Sequence, residues 1–63
     1  MRISLKAARI DKDLRQVDVA AAVGVGKKTV AAWENGKSFP AADKIEALCA
    51  ILGRSYDEIR WNT

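Results

Sequence analysis

An all-α domain, a compact bundle of five short helices, is the fold these 63 residues predict. Three observations carry that expectation. Apolar residues recur at helical spacing, most clearly at Ile45, Leu48, Cys49 and Leu52. Glycines stand where three such windows end, at Gly24, Gly36 and Gly53, the usual position just past a helix C-terminus. No stretch alternates with period two, and only Met1–Ile3 offers anything to a strand.

Taken in order, Ser4 caps a first helix over Leu5–Lys12, with Leu5, Ala8 and Arg9 turned inward. Asp13 stops it, because aspartate tolerates the left-handed conformation better than most residues. A second helix fits Gln16–Val23, where Val19, Ala20 and Val23 make one apolar stripe. Gly24 closes it, Val25 drops from the turn into the core, and a third helix follows over Lys27–Asn35 with Val30 and Trp33 inward. Phe39–Pro40 starts a fourth helix, since proline suits a first turn. Ser55-Tyr-Asp-Glu58 has the capping-box spacing of a short fifth helix reaching Ile59. Tyr56, Ile59 and Trp61 either close the bottom of the core or form part of a patch against a second copy.

Composition narrows the chemistry. A chain this short forms one domain, residues 1–63, and buries only about 60% of the surface its unfolded form exposes. Cys49 is the single cysteine and there is no histidine, so an internal disulfide and a histidine general base are excluded. A four-ligand zinc site is not expected either. Cys49 reads as a small buried hydrophobe on the stripe of the fourth helix. The apolar runs fall short of the ~20 residues that span a bilayer, and MRISLKAAR lacks the apolar stretch of a signal peptide. Gly24-Val25-Gly26 is not a nucleotide loop, because no strand precedes it and the third glycine is missing. The expectation is a cytoplasmic protein that is not an enzyme, has no cofactor, metal or small-molecule substrate, and does not enter membranes.

The net charge is +3 and unevenly spread. Residues 1–16 carry Arg2, Lys6, Arg9, Lys12 and Arg15 against Asp11 and Asp13. Residues 24–40 carry Lys27, Lys28 and Lys37 against Glu34 alone, while the remaining C-terminal segment is slightly acidic. A basic face with a near-neutral tail suits a polyanionic partner, and equally suits plain solubility.

The stretch AAAVGVGKKTVAAWENGK (residues 20–37) joins two short helices through a glycine turn of about three residues, the pattern of a helix-turn-helix. With Val30 and Trp33 inward, the wheel turns Lys28, Ala31, Ala32 and Asn35 outward and puts Lys27 on the shoulder. In this motif the N-terminal residues of the second helix lie nearest the base edges of the major groove. Lys27 and Lys28 are therefore the leading base-contact candidates, either of them able to donate to guanine or to fall back to phosphate. Thr29 is a secondary polar contact or a packing residue. Ala32, and then Ala31, can touch a thymine methyl or simply favour helix.

The run RQVDVAAAVGVGKKTVAAWENGK resembles the Cro/cI-type (XRE-like) helix-turn-helix family of phage and bacterial regulators. The resemblance rests on Gln16, Ala20, Gly24, Val30 and the Trp33-Glu34-Asn35-Gly36 ending, and with the later LGRSYDEI segment it covers about residues 4–59. It implies a lambda-repressor-like fold with the motif at 16–35. It also implies sequence-specific binding of double-stranded DNA at a pseudo-palindromic operator, by a homodimer at least on DNA, in the cytoplasm at the nucleoid. Gln16 matches a family phosphate contact, and Asn35, Gly36 (through its backbone N–H) and Lys37 match a second phosphate clamp. Arg9 and Glu34 match a structural ion pair. Arg15, Gly26, Ala21, Ala22, Ala31, Ala32 and Arg54 depart from common family choices. A protein-interaction module of the same fold, such as an antitoxin-like partner-binding protein, is the alternative reading.

Overall fold

Ser4 opens the helical part of the chain: its Oγ accepts the Ala7 N–H at 3.0 Å and satisfies one of the free donors of helix α1, Leu5–Asp11. The computed structural model describes residues 1–61. Helix α1 ends one residue before the expected Lys12, and Asp13 behind it takes φ of +58°. The reversal lets the Leu14 N–H return to the Arg9 carbonyl at 3.2 Å.

Helix α2 spans Gln16–Val23 and ends on Gly24, whose φ of +78° directs the Gly24 and Val25 N–H groups back to the Ala20 carbonyl. Val25 packs half-buried on the core. Helix α3 spans Lys27–Glu34, with Asn35 as its cap rather than its last helical residue. Gly36 follows at φ +74°, and the Lys37 N–H closes on the Ala32 carbonyl at 2.9 Å.

Two expectations give way here. The fourth helix does not begin at Phe39–Pro40: α4 runs Ala42–Leu52 with Ala41 as its extended cap residue. Pro40 lies ahead of that cap and is buried, so it serves the connection rather than the first turn. The fifth helix reaching Ile59 is instead a single 3₁₀ turn, Tyr56–Glu58. The reason is a tertiary pairing: strand β2 (Ile59–Arg60) runs parallel to β1 (Ile3–Ser4), with Ile3 opposite Ile59 and Ser4 opposite Arg60. The ladder holds Ile59 at φ −108°, ψ 134°, which a helix cannot use.

The core gathers Leu5 and Ala8 of α1, Val19, Ala20 and Val23 of α2, Val30 and Trp33 of α3, Leu48 and Leu52 of α4, and Ile59. Ala20 and Ala8 leave room for neighbouring helices to approach closely. Ile45 and Cys49 sit at the margin, half-buried, and partial burial pushes the Cys49 thiol above its ordinary range. Among the described residues, no helix is long and apolar enough to cross a membrane.

Candidate nucleic-acid interface

The turn between α2 and α3 decides what α3 can present. Gly24 reverses the chain, Val25 is held on the core, and Val30 (0% exposed) and Trp33 anchor α3 from beneath. The opposite side faces solvent. Lys27, Lys28 and Thr29 are exposed at its start, and Asn35, Gly36 and Lys37 are exposed at its end. Ala31 and Ala32 are half-buried, so they offer less outward surface than the wheel suggests. Thr29 is exposed rather than half-buried.

The start of α3 is built against isolated stability. Gly26 supplies no side-chain cap, and the first turn contains no acidic residue. The Thr29 and Val30 N–H groups return to the Gly26 carbonyl, leaving those of Lys27 and Lys28 without an acceptor among the described residues. Two ammonium groups therefore stand at the positive end of the helix dipole, where cations are disfavoured by about 0.3–1 kcal/mol each. An anion at that point relieves both the charge and the unpaired donors.

The start of α2 differs. The Asp18 carboxylate accepts the Arg15 backbone N–H at 2.8 Å and the Arg15 guanidinium at 3.0 and 3.1 Å. The Arg15 side chain, with some help from its backbone N–H, holds the Asp18 carboxyl below the usual carboxylate range, and Asp18 raises Arg15 in turn. The N–H groups of Gln16 and Val17 remain without acceptors among the described residues. The Gln16 side chain is half-buried, and its Nε2 donates to Glu34 Oε1 at 3.0 Å. That tether joins positions 18 residues apart, so no local pattern announces it.

Among the described residues, Glu34 is the one buried charged side chain. Arg9 reaches it through Nε at 2.7 Å and Nη2 at 3.3 Å, and donates through Nη1 to the Leu14 carbonyl at 2.8 Å. The Gly36 N–H, expected to meet a phosphate, has a partner within the fold. It bonds to the Trp33 carbonyl at 3.3 Å, while Asn35, Lys37 and Ser38 close on Ala31 and Ala32 carbonyls. The helix cap engages this backbone, and Asn35 and Lys37 are exposed beside it.

The geometry is thus two helices locked by a glycine turn, the second projecting a lysine pair. The family whose description reads "Helix-turn-helix" matches residues 5–59. The chain belongs to the helix-turn-helix family. That family is one of DNA-binding domains, of the Cro/repressor type, and is not enzymatic. The chain is 37% identical over 49 residues to the cryptic phage CTXphi transcriptional repressor RstR of Vibrio cholerae, covering 78% of this chain and 44% of that protein. It is 44% identical over 39 residues to the 26 kDa repressor protein of Escherichia phage HK022, covering 62% of this chain and 17% of the relative. The chain therefore spans less than half the length of these relatives. No solved structure matches it at comparable significance.

A second surface lies outside the helix-turn-helix. Trp61 stacks on Tyr56 with centroids 5.7 Å apart, meets Phe39 at 6.5 Å, and donates its indole N–H to the Tyr56 carbonyl at 2.9 Å. Phe39 and Tyr56 are about half exposed, at 52% and 56%. With Arg2, Asp57 and Arg60 they line a depression of about 170 Å³. Of the C-terminal apolar set, Ile59 enters the core, Trp61 packs half-buried against it, and Tyr56 stays exposed. Among the described residues, no cluster of histidine, cysteine, aspartate and glutamate is placed to hold a metal ion.

Proposed function

We propose that this domain, residues 1–63, is a sequence-specific transcriptional regulator, a phage-type repressor that acts by occupying an operator in the cytoplasm. The observation that carries the reading is the exposed, uncapped start of α3 with Lys27 and Lys28 at its positive pole. A protein selected for stability alone gains nothing from that arrangement, whereas a duplex groove lined by phosphates does. Lys27 and Lys28 read bases, with Thr29 beside them and Ala32 against a thymine methyl. The backbone and side chain of Gln16, with Asn35 and Lys37, hold phosphates on either side. The Gly36 N–H, held by a long 3.3 Å bond to the Trp33 carbonyl, joins them at the phosphate.

The domain acts as a homodimer on DNA. Its longest dimension is 28 Å, while successive major-groove faces of one duplex side lie about 34 Å apart. One copy therefore reads one half-site, and a near-palindromic operator needs two. The Phe39–Tyr56–Trp61 cluster, with Arg2, Arg60 and Asp57 around it, supplies apolar area and charges of both signs for that pairing.

Selection of bound duplexes from random DNA, followed by fluorescence anisotropy titration, tests the proposal. We expect enrichment of a near-palindromic site and an affinity that falls at least about tenfold between 50 and 200 mM salt. No salt-sensitive binding at any concentration would reject it and leave the antitoxin-like protein partner as the better reading.

A further inference from the structure

The Glu34 carboxylate stands where three parts of the fold meet. Its Oε2 receives Arg9 Nε at 2.7 Å, and its Oε1 receives both Arg9 Nη2 at 3.3 Å and Gln16 Nε2 at 3.0 Å. Arg9 is also bonded to the Leu14 carbonyl, just ahead of α2. The side chains of Arg9 and Glu34 are 11% and 2% exposed, so this network is held inside the protein rather than on its surface. Gln16, like Arg9 and Leu14, is half-buried.

Arg9 leaves acceptor capacity on the buried Glu34 carboxylate, and the half-buried Gln16 amide turns inward to fill it. The chemistry of the amide explains the arrangement. Nε2 carries two hydrogens: one is committed to Glu34, and the other has no acceptor among the described residues. A glutamine free to rotate must be ordered when it binds a phosphate, which weakens binding, and a glutamine already held does not pay that cost. Glu34 also directly precedes Asn35, at the far end of the recognition helix.

We propose that Glu34 is a positioning residue for DNA binding. It holds the Gln16 amide with one N–H presented to the backbone phosphate, and through Arg9 it sets the spacing between the start of α2 and the end of α3. The inference rests on the DNA-binding reading above and adds a residue that touches no DNA. Its sign is diagnostic. By charge alone, removing a carboxylate near the phosphates strengthens binding, whereas loss of positioning weakens it.

The test is a double-mutant cycle of Gln16→Ala and Glu34→Gln, titrated on the selected operator at a temperature where circular dichroism shows every variant folded. We expect each single change to weaken binding about tenfold, and Gln16→Ala to cost no more than about twofold once Glu34 is glutamine. Additive losses, or tighter binding by Glu34→Gln, overturn the proposal. Should Glu34→Gln fail to fold, the side-chain amide resonance of Gln16 in the wild-type protein decides. A distinct resonance protected from solvent exchange supports positioning, and the averaged signal of a free glutamine overturns it. Wild-type protein that binds no duplex at all rejects the functional reading and this role with it. A binding wild type with an additive cycle rejects the role alone.

Discussion

Lys44 reaches from α4 to the end of α2, where its Nζ donates to the Val23 carbonyl at 3.1 Å. The last carbonyls of a helix lack intrahelical donors, and a cation there also meets the negative end of the dipole. The contact lies one residue before Gly24, so α4 fastens the point at which the chain turns toward the recognition helix. Replacing Lys44 by Met keeps the aliphatic stem and removes the donor. The expected cost is about 1–2 kcal/mol, read in urea as a lower midpoint with an unchanged slope. An unaltered midpoint would make the contact incidental.

Gly24 and Gly26 flank one residue yet predict opposite outcomes. At Gly24 the backbone is left-handed, φ +78°, with only Lys44 Nζ 4.0 Å from an added Cβ, so the penalty of alanine is conformational rather than steric. Gly24→Ala should cost about 1–2 kcal/mol, lowering the thermal midpoint of a domain this size by several degrees, roughly 4–8 °C per kcal/mol. At Gly26 the backbone is extended, φ −81° and ψ 158°, and nothing lies within 4 Å of an added Cβ. Gly26→Ser supplies the missing cap and should raise stability by a few tenths of a kcal/mol, about 0.3. The same hydroxyl is placed to meet a phosphate, so operator affinity should rise as well. Calorimetry of both variants checks the pair, and a stabilised Gly24→Ala protein would contradict the argument.

The elements that local chemistry specifies were legible in the sequence. Gly24, Gly36, Gly53 and Asp13 all take positive φ at helix ends, as expected of residues that bear a left-handed backbone cheaply. Val30, Trp33, Leu48 and Leu52 are buried because their spacing leaves them one side of a helix to share. What the sequence hid depends on partners far along the chain. The pairing of Ile3 with Ile59 shortened the last helix to a 3₁₀ turn, and two-residue strands have no period to detect. The Gln16–Glu34 and Lys44–Val23 bonds join residues 18 and 21 positions apart. Gly36 shows the mixed case: its place was legible, but the bond from its N–H to the Trp33 carbonyl was not.

Acid should destabilise the fold through three surface carboxyls. Arg15 holds Asp18 low by its guanidinium and then its N–H; the Ser55 backbone N–H and hydroxyl hold Glu58 low, and the Ser55 hydroxyl holds Asp57 low. Each therefore stays ionised in the folded protein to lower pH than in the unfolded chain. The unfolded chain binds protons first as pH falls, so the stabilisation is present above the ordinary carboxylate range, about 4, and is lost below it. Thermal midpoints should hold level from about pH 7 to 5 and fall below about pH 4. Asp18→Asn should flatten part of that fall. A midpoint that rises on acidification would reverse the sign and refute the linkage.

Lys28 and Lys37 separate reading from holding. Both are exposed, Lys28 at the start of α3 and Lys37 past its end, and the proposed docking sets the first near base edges and the second near the backbone. A lysine donating to guanine loses its partner only on the specific site, whereas a phosphate is present on every duplex. Lys28→Ala should therefore cost about 1–3 kcal/mol on the selected operator and much less on random DNA. Lys37→Ala should weaken both equally and reduce the salt slope by about one per subunit. Paired titrations on operator and random duplex, at several salt concentrations, distinguish the roles. Equal losses for Lys28→Ala on the two DNAs would make it a phosphate contact and move base reading to Lys27, its neighbour on the same exposed first turn.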